Sequence, residues 1–383
     1  MTEKKFVYFD NAATTCVDPL VVEAMLPFFT DFYGNPSSTH GHGNRVKSAV
    51  EKARKQVAQF LNAAPSEIFF TSGGTESDNT ALRCAVASYG IKHVVSSKME
   101  HHAVLHTLEE LEHEGKITLT FLSNDEKGQL DLNELDEILQ KNPNSLVSLM
   151  HGNNEIGNIT DIEAVGHICE KNGALFHTDT VQTLGHFPID LSKIKAHFIA
   201  GSAHKFHGPK GTGILYIRGG TKIRPFQTGG AQERNMRGGT ENVAGIIGLA
   251  KALEISVAEM QIHREHILSL KKHLISELKA LFPDIRFNGL SEDLDKSLYT
   301  VLNVSFPPSE INDMLLFNLD IHKICASAGS ACSSGSQIGS HVLAAIKADP
   351  KRGAVRFSFG KYNTHEDIDC LLSALKEIFK VTA

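Results

Sequence analysis

Apolar residues in the first two-thirds of the chain alternate between short continuous runs and helical stripes. The runs at 68–70, 93–97, 118–122, 146–150, 175–178, 198–200 and 213–217 are bounded by polar or turn residues and predict buried strands. Between them, apolar residues recur every three or four positions. The clearest case is the stripe of Val46, Val50, Ala53, Val57 and Leu61, which predicts a helix over 45–61. Further helices are predicted at 75–88, 103–114, 132–140 and 162–172, with Gly115 and Gly173 placed to end two of them. A first strand is predicted at 6–9. This alternation predicts an α/β fold with a mostly parallel sheet flanked by helices.

The pattern changes after a long helical region from 242 to about 281, broken near Met260-Gln261. Short strands at 285–287, 300–305 and 355–358 then mix with helices at 309–319, 341–346 and 366–379, as in a smaller α+β domain. The expected division is a large domain over residues 16–260 and a small C-terminal domain over 261–383, with residues 1–15 packing on the latter.

In an open parallel sheet, ligands bind beyond the carboxyl ends of the strands. Thr71-Ser72-Gly73-Gly74-Thr75-Glu76-Ser77 follows the strand at 68–70 and enters a helix, an arrangement suited to a phosphate. Glu100-His101-His102, His151-Gly152-Asn153-Asn154-Glu155, Asp179 with Gln182, and Ser202-Ala203-His204-Lys205 follow the next strands. Each has an ordinary reading by itself: Asp179 as a helix cap, His101 as a helix-start residue, Asn154 as a turn residue, Lys205 as a solvated lysine in a glycine-rich connection. Together on one rim they match the needs of pyridoxal 5′-phosphate. Lys205 would link to the aldehyde, Asp179 would hold the ring nitrogen protonated, and His101 would lie over the ring. Gly74, Thr75, Ser202 and His204 would hold the phosphate, and Gln182 would donate to the ring oxygen. Burial would lower the Lys205 pKa and free its amine.

Composition narrows the partners. A formal net charge of −6 gives no electrostatic case for nucleic acid or an anionic membrane. No apolar leader or bilayer-length run is present, so a cytoplasmic location is expected. The six cysteines are scattered with no CxxC pair, and the twenty histidines form no HExxH-type pair, so neither a disulfide framework nor a metal site is expected. Cys84 and Cys169 fall in helical stripes. Cys332 lies in Ser327-Ala328-Gly329-Ser330-Ala331-Cys332-Ser333-Ser334-Gly335-Ser336, where glycine and serine predict a mobile loop and an available thiol.

The segments 71–79, Glu100-His101, 153–157, Asp179-Thr180-Val181-Gln182 and Ser202-Ala203-His204-Lys205 together resemble the cysteine desulfurases of the NifS/IscS class. So do Gln232-Glu233-Arg234, Arg237-Gly238-Gly239-Thr240 and Gly329-Ser330-Ala331-Cys332. The resemblance implies a PLP enzyme of fold type I that acts as a homodimer, converts L-cysteine to L-alanine and leaves the sulfur on Cys332 as a persulfide. It implies that Thr240 reaches the neighbouring subunit's phosphate and that Arg356, joined by Asn154, clamps the substrate carboxylate. His101 would also move a proton. The sulfur acceptor would be an iron–sulfur scaffold or a thiolation enzyme, with transient cluster ligation through Cys332. A selenocysteine lyase, or another PLP enzyme of the same fold type, is the alternative. Two departures, Gln337-Ile338-Gly339-Ser340 after the loop and a short tail after the final helix, bear on the acceptor rather than on catalysis.

Overall fold

The computed structural model describes residues 6–328 and 339–381. The chain begins with β1 (Val7–Tyr8) and enters two short helices that the periodicity does not predict, α1 (Pro19–Met25) and α2 (Pro27–Thr30). The signal for α1 is local: Asp18 caps it by accepting the Leu20 N–H at 2.8 Å, and Pro19 occupies the first helical position. Helix α3 (Gly41–Phe60) starts ahead of the predicted bound because His40 Nδ1 accepts the Gly43 N–H.

The alternating region then runs β2 (Ile68–Thr71), α4 (Gly74–Tyr89), β3 (His93–Ser96), α5 (His102–His113), β4 (Thr118–Phe121), α6 (Leu132–Lys141), β5 (Ser145–Ser148), α7 (Ile162–Asn172), β6 (Leu175–Asp179), β7 (Phe198–Ser202) and β8 (Gly213–Ile217). The seven strands form one sheet in the order β2-β8-β7-β6-β5-β3-β4. All pairings are parallel except those of β8, which runs antiparallel to both β7 and β2. The connection from 203 to 212 is too short for the crossover that a parallel neighbour needs, so the chain must reverse there.

Helices cover both faces of this sheet. Successive residues of one strand serve opposite cores. Ile199 and Ile214 pack with Val50 and Val57 of α3, whereas Phe198 and Leu215 pack with Leu82 of α4 and Leu108 of α5. Helix α8 (Val243–Ala258) joins the first of these cores through Leu249 and Leu253. A single residue, Glu259, separates it from α9 (Met260–Leu281), which is where the sequence predicts a break.

The remaining elements are β9 (Arg286–Phe287), β10 (Val301–Phe306), α10 (Leu315–Ile321), β11 (Ile324–Cys325), α11 (His341–Ala345), β12 (Gly353–Ser358) and α12 (His365–Phe379). The helix expected at 309–319 is shorter and later, preceded by a 3-10 turn at Asn312–Met314. Strands β12-β10-β9 form an antiparallel sheet backed by α9 and α12, whose Leu270, Leu274, Leu371 and Leu375 pack against Leu302, Val304 and Phe357. Val7 and Phe9 belong to this second core. Strand β1 pairs in parallel with β11, and the Asn11 side chain donates to Ser358 O at 2.9 Å. The N-terminal loop thereby crosses from the second core to the carboxyl rim of the large sheet.

Candidate active site

A cavity of about 240 Å³ lies at that rim. Lys205 reaches it from a 3-10 turn, Ala203–Lys205, that ends β7. Its Nζ donates to the carbonyl oxygens of Ala12 at 2.5 Å and Ala13 at 2.9 Å, both on the N-terminal loop. Gln182 Nε2 donates to the same Ala12 oxygen at 3.0 Å. These two backbone acceptors have no side-chain signature, so no motif could have shown them.

Asp179 ends β6 and is 6% exposed. Its Oδ1 accepts the Val181 N–H at 2.8 Å. Burial, reinforced by the nearby Asp78 carboxyl, pushes its pKa up to about 7. Asp78 itself, one helical turn beyond Gly74, is fully buried and held far above the usual carboxylate range. Its Oδ1 lies 3.2 Å from His177 Nε2, an approach without hydrogen-bond alignment, while His177 Nδ1 meets Ser148 Oγ at 2.9 Å. Sequence reasoning passed over both residues because one sits inside a helix and the other inside a strand.

His101 caps α5, its Nδ1 accepting the Ala103 N–H at 3.1 Å, so Nε2 carries the ring proton. Burial and then the Lys205 charge lower its pKa to about 4, which keeps the ring neutral at neutral pH. His204, Nδ1 3.1 Å from Thr14 Oγ1, is also lowered to about 4, mainly by burial.

Gly74 and Thr75 open α4 at the cavity, with Ser202 and His204 on the same lining. The first N–H groups of a helix have no acceptor within it. A Cβ on Gly74 would come within 2.6 Å of Val181 Cγ2, so glycine is what lets the helix start approach this closely. Arg356, on β12 and 1% exposed, completes the far wall. It donates from Nη1 to Asn154 O at 3.0 Å and pairs through Nη2 with Asp10 at 2.8 Å.

The structure thus brings Lys205, Asp179, His101, Gln182, Gly74, Thr75, Ser202, His204, Asn154 and Arg356 onto one cavity. Thr240 is exposed and lines a separate hollow with Ser72 and Arg237. Cys332 lies outside the described residues. Among those described, no group of three histidine, cysteine or acidic side chains is placed to hold a metal ion.

The unmatched groups of this lining suit pyridoxal 5′-phosphate. Arg356 Nε and Asp78 Oδ1 are buried without a hydrogen-bond partner among the described residues, and both residues face the cavity. The lining therefore offers a cationic donor, an amine, two acids and a helix N-terminus, which fit a phosphorylated pyridine aldehyde carrying an amino acid.

Comparison with known proteins agrees. The family described as aminotransferase class-V matches residues 7–371. The chain is 43% identical to the cysteine desulfurase IscS of Clostridium botulinum, over 98% of this chain and 95% of that one. A solved NifS-like protein superposes with a TM-score of 0.91 at 40% identity, covering 98% of this chain and all of that chain. The structure of SspA in complex with cysteine superposes at 0.81 with 30% identity, over 93% and 99% of the two chains. With agreement spanning both the sheet and the second core, the chain belongs to the class-V aminotransferase family.

Proposed function

We propose that this chain is a pyridoxal 5′-phosphate-dependent cysteine desulfurase, converting L-cysteine to L-alanine and passing sulfur to Cys332. The observation that carries the reading is one cavity holding Lys205, Asp179 and Arg356, in a chain 43% identical over nearly its full length to a cysteine desulfurase. Relatives named for that activity, and a solved relative holding cysteine, support L-cysteine as the substrate.

When bound, the cofactor supplies an electron sink conjugated to the substrate Cα. Gly74, Thr75, Ser202 and His204 would hold its phosphate, Asp179 would serve its ring nitrogen, and His101 would serve its ring. Arg356 binds the substrate carboxylate, with Asn154 fixing the guanidinium through its carbonyl. Lys205 Nζ takes the Cα proton, at a position set by the Ala12 and Ala13 carbonyls. The neutral His101 ring, its Nδ1 held by the Ala103 N–H, offers an Nε2–H donor at the cavity. The Cys332 thiolate attacks the substrate sulfur. An S–S bond forms as the Cβ–S bond breaks, the electron pair leaves toward carbon, and the persulfide stays on Cys332.

The protein acts on this reading as a cytoplasmic homodimer, with Thr240 serving the neighbouring subunit's phosphate. Exposed Leu20, Leu26, Phe29 and Tyr33 on and beside α1 and α2 offer apolar surface for that association. No helix among the described residues is long and apolar enough to cross a membrane. An iron–sulfur scaffold or a thiolation enzyme takes the sulfur. The domain boundary falls at 260/261, supported by α8 serving the core of the large sheet and α9 the second core. The test is release of alanine and sulfide from L-cysteine by the PLP-loaded protein, and absence of alanine would overturn the reading.

A further inference from the structure

Lys205 is gripped at its backbone as well as at its amine. His186 lies in the turn beyond β6, and its Nε2 sits 2.9 Å from the Lys205 carbonyl oxygen. A carbonyl only accepts, so Nε2 carries the proton. Burial lowers the His186 pKa, so the ring is neutral and Nδ1 is left as an acceptor. The Tyr299 hydroxyl lies 3.2 Å from that Nδ1 and 3.1 Å from the His186 carbonyl oxygen, so its single proton faces two acceptors.

Tyr299 is 2% exposed and stands just before β10 in the second core. Its ring meets the His186 ring edge-on, with centroids 5.9 Å apart. The turn is fixed independently at Gly185, where φ is +81°. A Cβ there would come within 2.8 Å of Phe206 Cβ, so glycine alone allows this approach to the residue after Lys205.

We infer that His186 is a positioning residue for Lys205, with Tyr299 holding the turn at His186 and registering the lysine backbone against the second core. The inference rests on the reading of Lys205 as the reacting amine. A lysine that must swing its amine between partners gains from an immobile Cα. Lys205 lies beyond the ladder of β7, so the sheet does not hold its carbonyl.

The test uses the whole chain, PLP-loaded except where stated, with variants at His186, Tyr299 and Lys205. His186→Leu removes the donor and should lower kcat about tenfold with KM for L-cysteine within about twofold, the loss of one well-placed hydrogen bond. It should also shift the pH midpoint of the bound cofactor's visible absorbance. In the PLP-free protein it should slow uptake of pyridoxal 5′-phosphate into the borohydride-trapped linkage at Lys205. His186→Gln presents an amide N–H at similar reach and should recover most of each loss. Tyr299→Phe should give a smaller loss that adds nothing to His186→Leu. Wild-type kcat in His186→Leu would overturn the inference. So would equal losses in the Leu and Gln variants when both unfold at the wild-type temperature. Lys205→Ala separates the two claims: turnover surviving in that variant overturns the reading of Lys205, whereas a dead Lys205→Ala beside an unaffected His186→Leu overturns only the role of His186.

Discussion

Arg356 and Asp10, 346 residues apart in the chain, meet as an ion pair of 2.8 Å at the wall of the cavity. Ser327 Oγ donates to the same Asp10 oxygen at 2.9 Å, and the Asn154 carbonyl takes the other guanidinium arm. The guanidinium is therefore fixed before any carboxylate arrives, and its Nε points to no protein acceptor among the described residues. Arg356→Gln should raise KM for L-cysteine by roughly 10- to 100-fold, the span of one or two charge-assisted hydrogen bonds. Steady-state kinetics would show it, and an unchanged KM would remove Arg356 from substrate binding.

Lys205→Ala should lose covalent attachment of the cofactor and at least about a thousandfold in alanine formation, because one amine serves both attachment and proton transfer. Mass spectrometry after borohydride reduction reads the first, and amino-acid analysis reads the second. The variant should stay folded, since the amine makes its contacts at the surface of a cavity.

Two cysteines near the same segment should part company. Cys325 sits on β11 opposite Tyr8, and burial raises its thiol pKa, so little thiolate is available there. Cys332→Ser should bind the cofactor with a normal spectrum yet release no sulfide, whereas Cys325→Ser should retain most turnover. Sulfide release at the wild-type rate from Cys332→Ser would assign the wrong nucleophile.

Asp179 gives a pH dependence with a definite sign. Its carboxyl ionises near 3.8 when unfolded and near 7 in the fold, so between those values the folded protein holds a proton that the unfolded chain has lost. Its contribution to stability is full below the lower value and is lost as pH rises through the upper one. In the PLP-free protein, Asp179→Asn should therefore gain on wild type across that window, by a few kcal/mol at most. Denaturant midpoints against pH for both proteins would show the curves separating. Parallel curves would mean that Asp179 does not carry the proton.

The rim of the sheet was legible because strand ends and helix starts are written locally. Gly74-Thr75, His101, Asp179 and Lys205 each follow an apolar run within about five residues, and topology does the rest. The groups that hold them in place were not legible. Ala12 and Ala13 act through carbonyl oxygens, Asp78 and His177 are hidden in regular elements, and Asp10 meets Arg356 only after the whole chain has folded. Strand β11 is two residues long, too short to leave a period. Helix α1 was readable from Asp18-Pro19, a capping signal that carries no periodicity over so few turns.

The pairing of β1 with β11 and of Asn11 with Ser358 sets a schedule for the protein as it is made. Strand β1 leaves the ribosome well before its partners, which lie more than 300 residues further along the chain. At ordinary rates of about 5–20 residues per second, several hundred residues take tens of seconds to follow. Throughout that interval the large sheet can assemble and its Gln182 and His204 can hold the loop at Ala12 and Thr14, while Val7 and Phe9 stay exposed. On the proposed reading, a nascent chain stalled short of β12 would thus carry Lys205, Asp179 and the α4 N-terminus with no Arg356 to admit an amino acid, so cofactor capture could precede the making of β12 but turnover could not.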